Sequence, residues 1–339
     1  MDGYLAKRPI EVDHSLEMLS GAIDPQDLYV VFGSFEGQWE VMRFREFESG
    51  VERAFNFDLE ESRQALADEG ADWLTSLDRA QYIEYVESIR REIKAGWVYQ
   101  VNACRMLSYP RNLDLSRIFD EIQSKHPAPA SGYYKSSRWE IASASPETFF
   151  QVRKVNGARV ITTRPIKGTS RDGKFKEKDF AENVMIVDLM RNDISPLCKL
   201  HTVAVPHLLD VEEHPGLFHL VSDIQGELRD EVSWKEILQR LSPAGSISGA
   251  PKSSALDVIS RFEPYRGAYC GTLGWIHGGQ AHFAVLIRTF FAEQDRDPSL
   301  TLFGTGAGIT WGSVALDEWQ ETELKAERLI KLASGALKG

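Results

Sequence analysis

Cysteine is scarce in this 339-residue chain: there are three, at positions 104, 198 and 270. They are far apart, odd in number and form no CxxC pair, which argues against a disulfide framework or a zinc knuckle. A reducing cytoplasm is the compartment this usage fits. Basic charge is also short, with 39 Lys and Arg against 50 Asp and Glu, a formal net charge of −11. A nucleic-acid partner is therefore not expected, because such binders carry a basic footprint. No run of about 18 apolar residues occurs, so no membrane span is expected. The N-terminal segment has no apolar stretch after its charges and does not read as a signal peptide. The glycine-rich stretches match neither GxGxxG nor the P-loop pattern, so those routes to NAD or ATP find no support.

What is present reads as a mixture of strands and helices. Short strands are expected over 27–33, 38–44, 98–107, 139–143, 147–153, 158–163, 218–226, 272–277, 281–291 and 299–303. In residues 78–95, Tyr82, Tyr85, Val86, Ile89 and Ile93 recur at helical spacing, and Gly96 is a plausible stop. Further helices are expected over 177–190 and 315–335. Strict βαβ alternation is missing, which favours an α+β fold of sheets with helices packed outside.

Several residues have the chemistry for a site, and each also has a plainer reading. Asp179 and Glu182 lie three apart on one helical face, and Glu318 and Glu321 repeat that spacing with Lys325 one turn on. Two such pairs suit magnesium, which takes few carboxylates plus water and substrate oxygen; solvated helix surface is the plainer reading. Gly304–Gly308 lets backbone N–H groups approach an anion, and Arg288 can fork onto a carboxylate. Glu147 precedes an apolar strand, His219 lies within one, and Tyr269 reads by default as a core or rim aromatic. Lys167 sits in a turn after an apolar run, where a surface lysine is the default and a nucleophile or base the sharper alternative.

The order of these features carries more than any one of them. The chain reads Tyr99-Gln-Val-Asn102, Ser145-Pro-Glu147, Pro165-Ile-Lys-Gly-Thr169, the stretch from Glu182 to Asp193, His219-Leu-Val-Ser222, and Gly245-Ser-Ile-Ser-Gly-Ala-Pro-Lys252. Tyr269-Cys-Gly271, Ile287-Arg-Thr289, Gly306-Ala-Gly-Ile309 and Glu321-Thr-x-x-Lys-Ala326 follow. In order and spacing this resembles the chorismate-binding enzymes, which include anthranilate, aminodeoxychorismate, isochorismate and salicylate synthases. The resemblance runs over residues 78–335 and implies one domain, 1–339, of two packed antiparallel-rich sheets flanked by helices. It implies Glu182 and Glu321 as Mg²⁺ ligands supported by Asp179 and Glu318. It implies Arg288, Tyr269, Lys325 and the backbone at Gly306 and Gly308 as binders of the substrate carboxylates. Thr169 is a further candidate substrate contact, Glu147 matches the acid that protonates the departing 4-hydroxyl, and His219 matches a histidine near the ring.

Position 167 separates the reactions of that family. The segment PIKGT looks like the aminodeoxychorismate synthases, where the resemblance implies lysine attack at C2, ammonia addition at C4 and release of 4-amino-4-deoxychorismate. That product would serve 4-aminobenzoate and folate synthesis. Anthranilate synthesis, or a non-catalytic glutaminase-binding role, are the alternatives. No cysteine lies in a GxCxG elbow, so the resemblance implies a separate glutamine amidotransferase subunit, with free ammonia as a substitute. The segment before the signature region, about 75 residues, is shorter than in many relatives. Ala284 and Ser195-Pro196 depart from the family pattern.

Overall fold

Phe290 and Ala292 pack into one apolar cluster, while Phe291 between them packs into another. Side chains sort this way when they alternate across a pleated strand, and repeated along the chain the alternation builds two large sheets. The computed structural model describes residues 4–50, 73–170, 172–175, 177–214, 217–263 and 265–334. The side chains of Thr169, Lys178, Glu213, His214, Leu217 and His219 lie outside that description.

The larger sheet has ten strands. Its spatial order runs Ile166–Ser170, Leu217–Glu227, Ala158–Thr163, Thr148–Val155, Gln280–Val285, Thr272–His277, Leu28–Gly33, Trp39–Phe44 and Glu11–Asp13. Ala204–His214 pairs beside Leu217–Glu227. The smaller sheet has seven: Gly249–Ala250, Gln100–Tyr109, Thr301–Ile309, Thr289–Glu293, Trp139–Ser143 and Gly132–Lys135 in order, with Leu74–Thr75 on Gln100–Tyr109. The main core lies between the two, where Phe32, Phe150 and Phe283 of the larger sheet meet Trp139, Ile141 and Phe291 of the smaller.

Helices cover the sheets, as the α+β reading expected. Helix α1 (Arg79–Lys94) starts on a reciprocal cap between Asp78 and Gln81 and buries Tyr82, Tyr85, Val86 and Ile89. Helix α2 (Leu115–Lys125) and the C-terminal helix, here α7 (Ala315–Ala333), pack on the outer face of the smaller sheet with Phe290 and Phe303. Helix α3 (Glu177–Ile194) lies against the larger sheet. The buried Asn183 ties it to strand Leu217–Glu227, donating to Leu220 O at 3.2 Å and accepting from Ser222 Oγ at 2.6 Å. Helices α4 (Trp234–Leu241), α5 (Gly245–Ser248) and α6 (Lys252–Phe262) follow in succession.

Two expectations are corrected here. The run 281–291 is not one strand but two, Gln280–Val285 and Thr289–Glu293, and they belong to different sheets. Continuous burial on both sides of the break hides the crossing from any periodicity argument. The strand expected over 299–303 does not stop before the glycine run: strand Thr301–Ile309 runs through 304–308, with Gly306 opposite Cys104 and Gly308 opposite Asn102.

Candidate active site

The site begins where two pairs of strands cross from one sheet to the other. Trp139–Ser143 of the smaller sheet continues into Thr148–Val155 of the larger, and Gln280–Val285 returns through Arg288 to Thr289–Glu293. The two connectors run side by side, with Ala144 N–H donating to Arg288 O at 3.0 Å and Val285 N–H to Glu147 O at 3.1 Å. Glu147 thus lies in one crossover and Arg288 in the other. Arg288 has φ 53, in the left-handed region that a non-glycine residue enters only when its surroundings hold it there. Burial lowers its guanidinium pKa, yet the residue is exposed; a side chain lining a recess shows both, and Arg288 is reachable by a ligand. It has no side-chain hydrogen bond or ion pair among the described residues, as a residue waiting for an anion would.

Glu147 is 8% exposed. Burial raises its carboxyl above the usual glutamate range, and Lys167, a hydrogen bond from Ser246 and Lys325 pull it only part of the way back. A carboxyl held in this way keeps its proton longer than a surface one, the condition for a general acid.

Lys167 stands on an irregularity of the sheet edge. The pairing of Ile166–Ser170 with its neighbour slips between Ile166 and Thr169, and bulges of this kind re-aim a side chain next to a site. Gly168 makes the bulge possible. Its φ is +86, and a Cβ there would stand 3.1 Å from the Phe175 ring and 3.2 Å from Asp179 Cβ. The chain segment carrying Asp179 therefore lies directly on the Lys167 turn. Lys167 Nζ sits 3.3 Å from Glu182 Oε1 and donates to Ser246 O at 3.3 Å. Glu182 also accepts from Gln100 Nε2 at 3.0 Å.

The loop after α4 closes the arrangement. Ser246 is 2% exposed, and its hydroxyl donates to Glu147 Oε1 at 2.7 Å. Its carbonyl accepts from Lys167 and, at 3.1 Å, from Asn102 Nδ2. The loop is seated on α3: a Cβ on Gly245 would meet Leu189 Cδ2 at 2.5 Å, and Lys252 pairs with Asp193 at 2.7 Å. Burial raises the Asp193 carboxyl, and Lys252 partly offsets it.

On the far side, Lys325 Nζ reaches Glu321 Oε1 at 2.6 Å and donates to Gly306 O at 3.0 Å. A Cβ on Gly308 would stand 3.4 Å from Glu182 Oε1. Glu182 of α3 thus stands beside Gly308, and Glu321 of α7 is joined to Gly306 through Lys325. Two carboxylates flanking a bare glycine backbone fit a hard cation that keeps water and substrate oxygens among its ligands. Among the described residues no group of three or more His, Cys, Asp or Glu gathers closely enough to enclose a metal unaided. Asp179 and Glu318 lie three residues before Glu182 and Glu321 on the same two helices.

Similarity to known proteins bears on this geometry. Residues 4–331 match the family described as chorismate binding enzyme. The chain belongs to that family. Anthranilate synthase component 1 of Saccharolobus solfataricus is 34% identical over 269 residues, 75% of this chain and 62% of that one. Aminodeoxychorismate synthase component 1 of Escherichia coli is 34% identical over 276 residues, 77% of this chain and 59% of that one. The solved anthranilate synthase component I from Streptococcus pneumoniae superposes with a TM-score of 0.81 at 22% identity, covering 97% of this chain and 92% of that one. Its likeness shows the fold: two sheets flanked by helices. The chain spans between 52% and 62% of the length of the curated relatives it matches. The family match begins at residue 4, well before the region whose motifs were legible.

Within this chorismate binding fold, Glu147, Lys167, Glu182, Glu321, Lys325, Gly306 and Gly308 are drawn into one contiguous set of contacts. Tyr269 lies buried at 6% exposure against Gly304, where a Cβ would stand 2.0 Å from its ring. Thr169 and His219 are register partners on adjacent strands; their side chains lie outside the described residues. Three contributors were missed as functional residues: Ser246, Gln100 and Asn102. Each sits inside a quoted motif, and that membership was the available signal.

Proposed function

We propose that this chain aminates chorismate at C4, giving 4-amino-4-deoxychorismate. One observation carries the reading: a lysine amine and a buried, proton-retaining carboxyl are both held by Ser246, one through its carbonyl and one through its hydroxyl. Relatives at 34% identity bear both synthase names, so overall similarity does not choose the reaction and the side chain at 167 must. Lys167 leaves Glu182, loses a proton to water, and its Nζ lone pair forms a bond to C2. The ring double bonds shift, and the C4–O bond breaks with the proton of Glu147 completing a water molecule. Ammonia then bonds to C4 and gives a proton back to the Glu147 carboxylate, the double bonds shift back, and Lys167 departs from C2 with the C2–N electron pair and regains its proton from water.

Arg288 and Lys325 supply fixed positive charge for the substrate's carboxylates. Glu182 and Glu321 would hold Mg²⁺, which supplies charge neutralisation and orientation at the ring carboxylate. All three cysteines are buried, so none is placed to attack glutamine. Ammonia then comes from a separate glutamine amidotransferase, and a further lyase would convert the product to 4-aminobenzoate. Among the described residues no helix is long and apolar enough to cross a membrane.

The test is incubation with chorismate, Mg²⁺ and ammonium, with the product identified by mass. 4-Amino-4-deoxychorismate is expected from the wild type, and Lys167→Ala should lose about 10²–10⁴-fold in rate, the scale of a group acting in the chemical step. Anthranilate as the product would refute the reading, and unchanged turnover in Lys167→Ala would remove the covalent route.

A further inference from the structure

We propose that Ser246 is a positioning residue: it selects which oxygen of Glu147 carries the transferable proton and sets the spacing between that acid and the Lys167 amine. The proposal rests on the amination reading above. A serine hydroxyl has one hydrogen to give. That of Ser246 goes to Glu147 Oε1 at 2.7 Å, its sole side-chain hydrogen bond among the described residues. Were the proton of Glu147 on Oε1, that oxygen would be the poorer acceptor of the two. The serine hydrogen, at a site only 2% exposed, would then be weakly satisfied, the less favourable state. Oε1 is therefore the acceptor, and the proton of the acid form sits on Oε2.

The hydroxyl is not needed to build the turn. Ser248, two residues on, shows what that use looks like, since its hydroxyl donates to Ala244 O at 2.9 Å within the same short helix. Ser246 instead turns its hydroxyl outward to the acid and its carbonyl to Lys167 at 3.3 Å and Asn102 at 3.1 Å. One residue thus indexes both reacting groups, and the Gly245–Leu189 packing and the Asp193–Lys252 pair hold it on α3.

The hydroxyl also stabilises the ionised form of Glu147. The charged groups facing Glu147 are Lys167 and Lys325, which act in the same direction. Without the hydroxyl the carboxyl keeps its proton to higher pH. The experiment measures kcat and KM across pH for wild type, Ser246→Ala and Ser246→Thr, with ammonium as the nitrogen source and the product identified by mass. Ser246→Ala is expected to lower kcat about tenfold or more, with KM little changed, and to move the alkaline limb of kcat/KM up by about one pH unit. Ser246→Thr, which keeps a hydroxyl, should restore both. Correct wild-type product with an unmoved limb in Ser246→Ala, or Thr behaving like Ala, overturns the role of Ser246 alone. A wild-type product other than 4-amino-4-deoxychorismate overturns the amination reading and this role with it.

Discussion

Gly308→Ala tests how the Glu182 carboxylate is held. The added Cβ would stand 2.5 Å from Gln100 Nε2, 3.3 Å from Asn102 Oδ1 and 3.4 Å from Glu182 Oε1. Ordinary contact needs about 3.4 Å or more between such atoms, so the Gln100 amide must retreat by roughly 1 Å. It has little room, because Gln100 is 1% exposed and its Oε1 is already enclosed without a partner. Retreat breaks the 3.0 Å bond from Nε2 to Glu182. A hydrogen bond to a charged group contributes about 1.5–3 kcal/mol, and overpacking adds about 1–3 kcal/mol. The strand backbone itself accepts alanine, since φ at Gly308 is not positive. Gly308→Ala should therefore lose about 2.5–6 kcal/mol of stability, read by urea unfolding. The Mg²⁺ needed for half-maximal turnover should rise about tenfold or more, as when a group supporting a metal ligand is disturbed. The decisive comparison is a double-mutant cycle. In a Gln100→Ala background the clash is gone, so Gly308→Ala should cost at least about 1 kcal/mol less than in the wild type. Equal costs in both backgrounds would refute the reasoning, whatever the effect on activity.

Other expectations follow from the same contacts. Glu147→Gln preserves shape but cannot donate a carboxyl proton, and amination should fall about 10²–10⁴-fold. Because burial holds the Glu147 carboxyl above its unfolded value, the wild type loses stability relative to this variant as pH rises through the ordinary glutamate range. Glu147→Gln should thus be the more stable protein at neutral pH, with the gap closing below about pH 4; a gap independent of pH would contradict the burial argument. Asp193→Ala leaves Lys252 half-buried with only Leu241 O at 3.1 Å. A loss of about 1–3 kcal/mol is expected, read as a fall in Tm of about 2–4 °C per kcal/mol.

Much of the local structure was legible. Helix α1 shows its buried face in the spacing of Tyr82, Tyr85, Val86 and Ile89, and its end just before Gly96. Both signals depend on residues within a few positions of each other, so no tertiary knowledge is needed. The crossover at Arg288 was not legible. Leu286 and Val285 on one side and Phe290 and Phe291 on the other are all buried, and apolar residues on both sides of Arg288 carry no mark of changing sheets. The glycines of 304–308 were read for what they permit, close approach to an anion. The structure shows what excludes larger residues there: the Tyr269 ring at Gly304, Cys104 at Gly306 and the Gln100 amide at Gly308.

The candidate site divides in the same way. By itself the sequence determined the family, and it singled out the acids, the lysine and the arginine as candidates, because chemistry of this kind requires particular side chains in a particular order. It could not determine that residue 100 meets 182 or that 246 meets both 147 and 167, since these contacts span from 79 to 99 positions of chain. Those distances are set by two sheets exchanging strands and by a helix pinned through Asn183, and both arise from burial summed over the whole core. Tertiary structure alone decided that Ser246 stands between the acid and the amine.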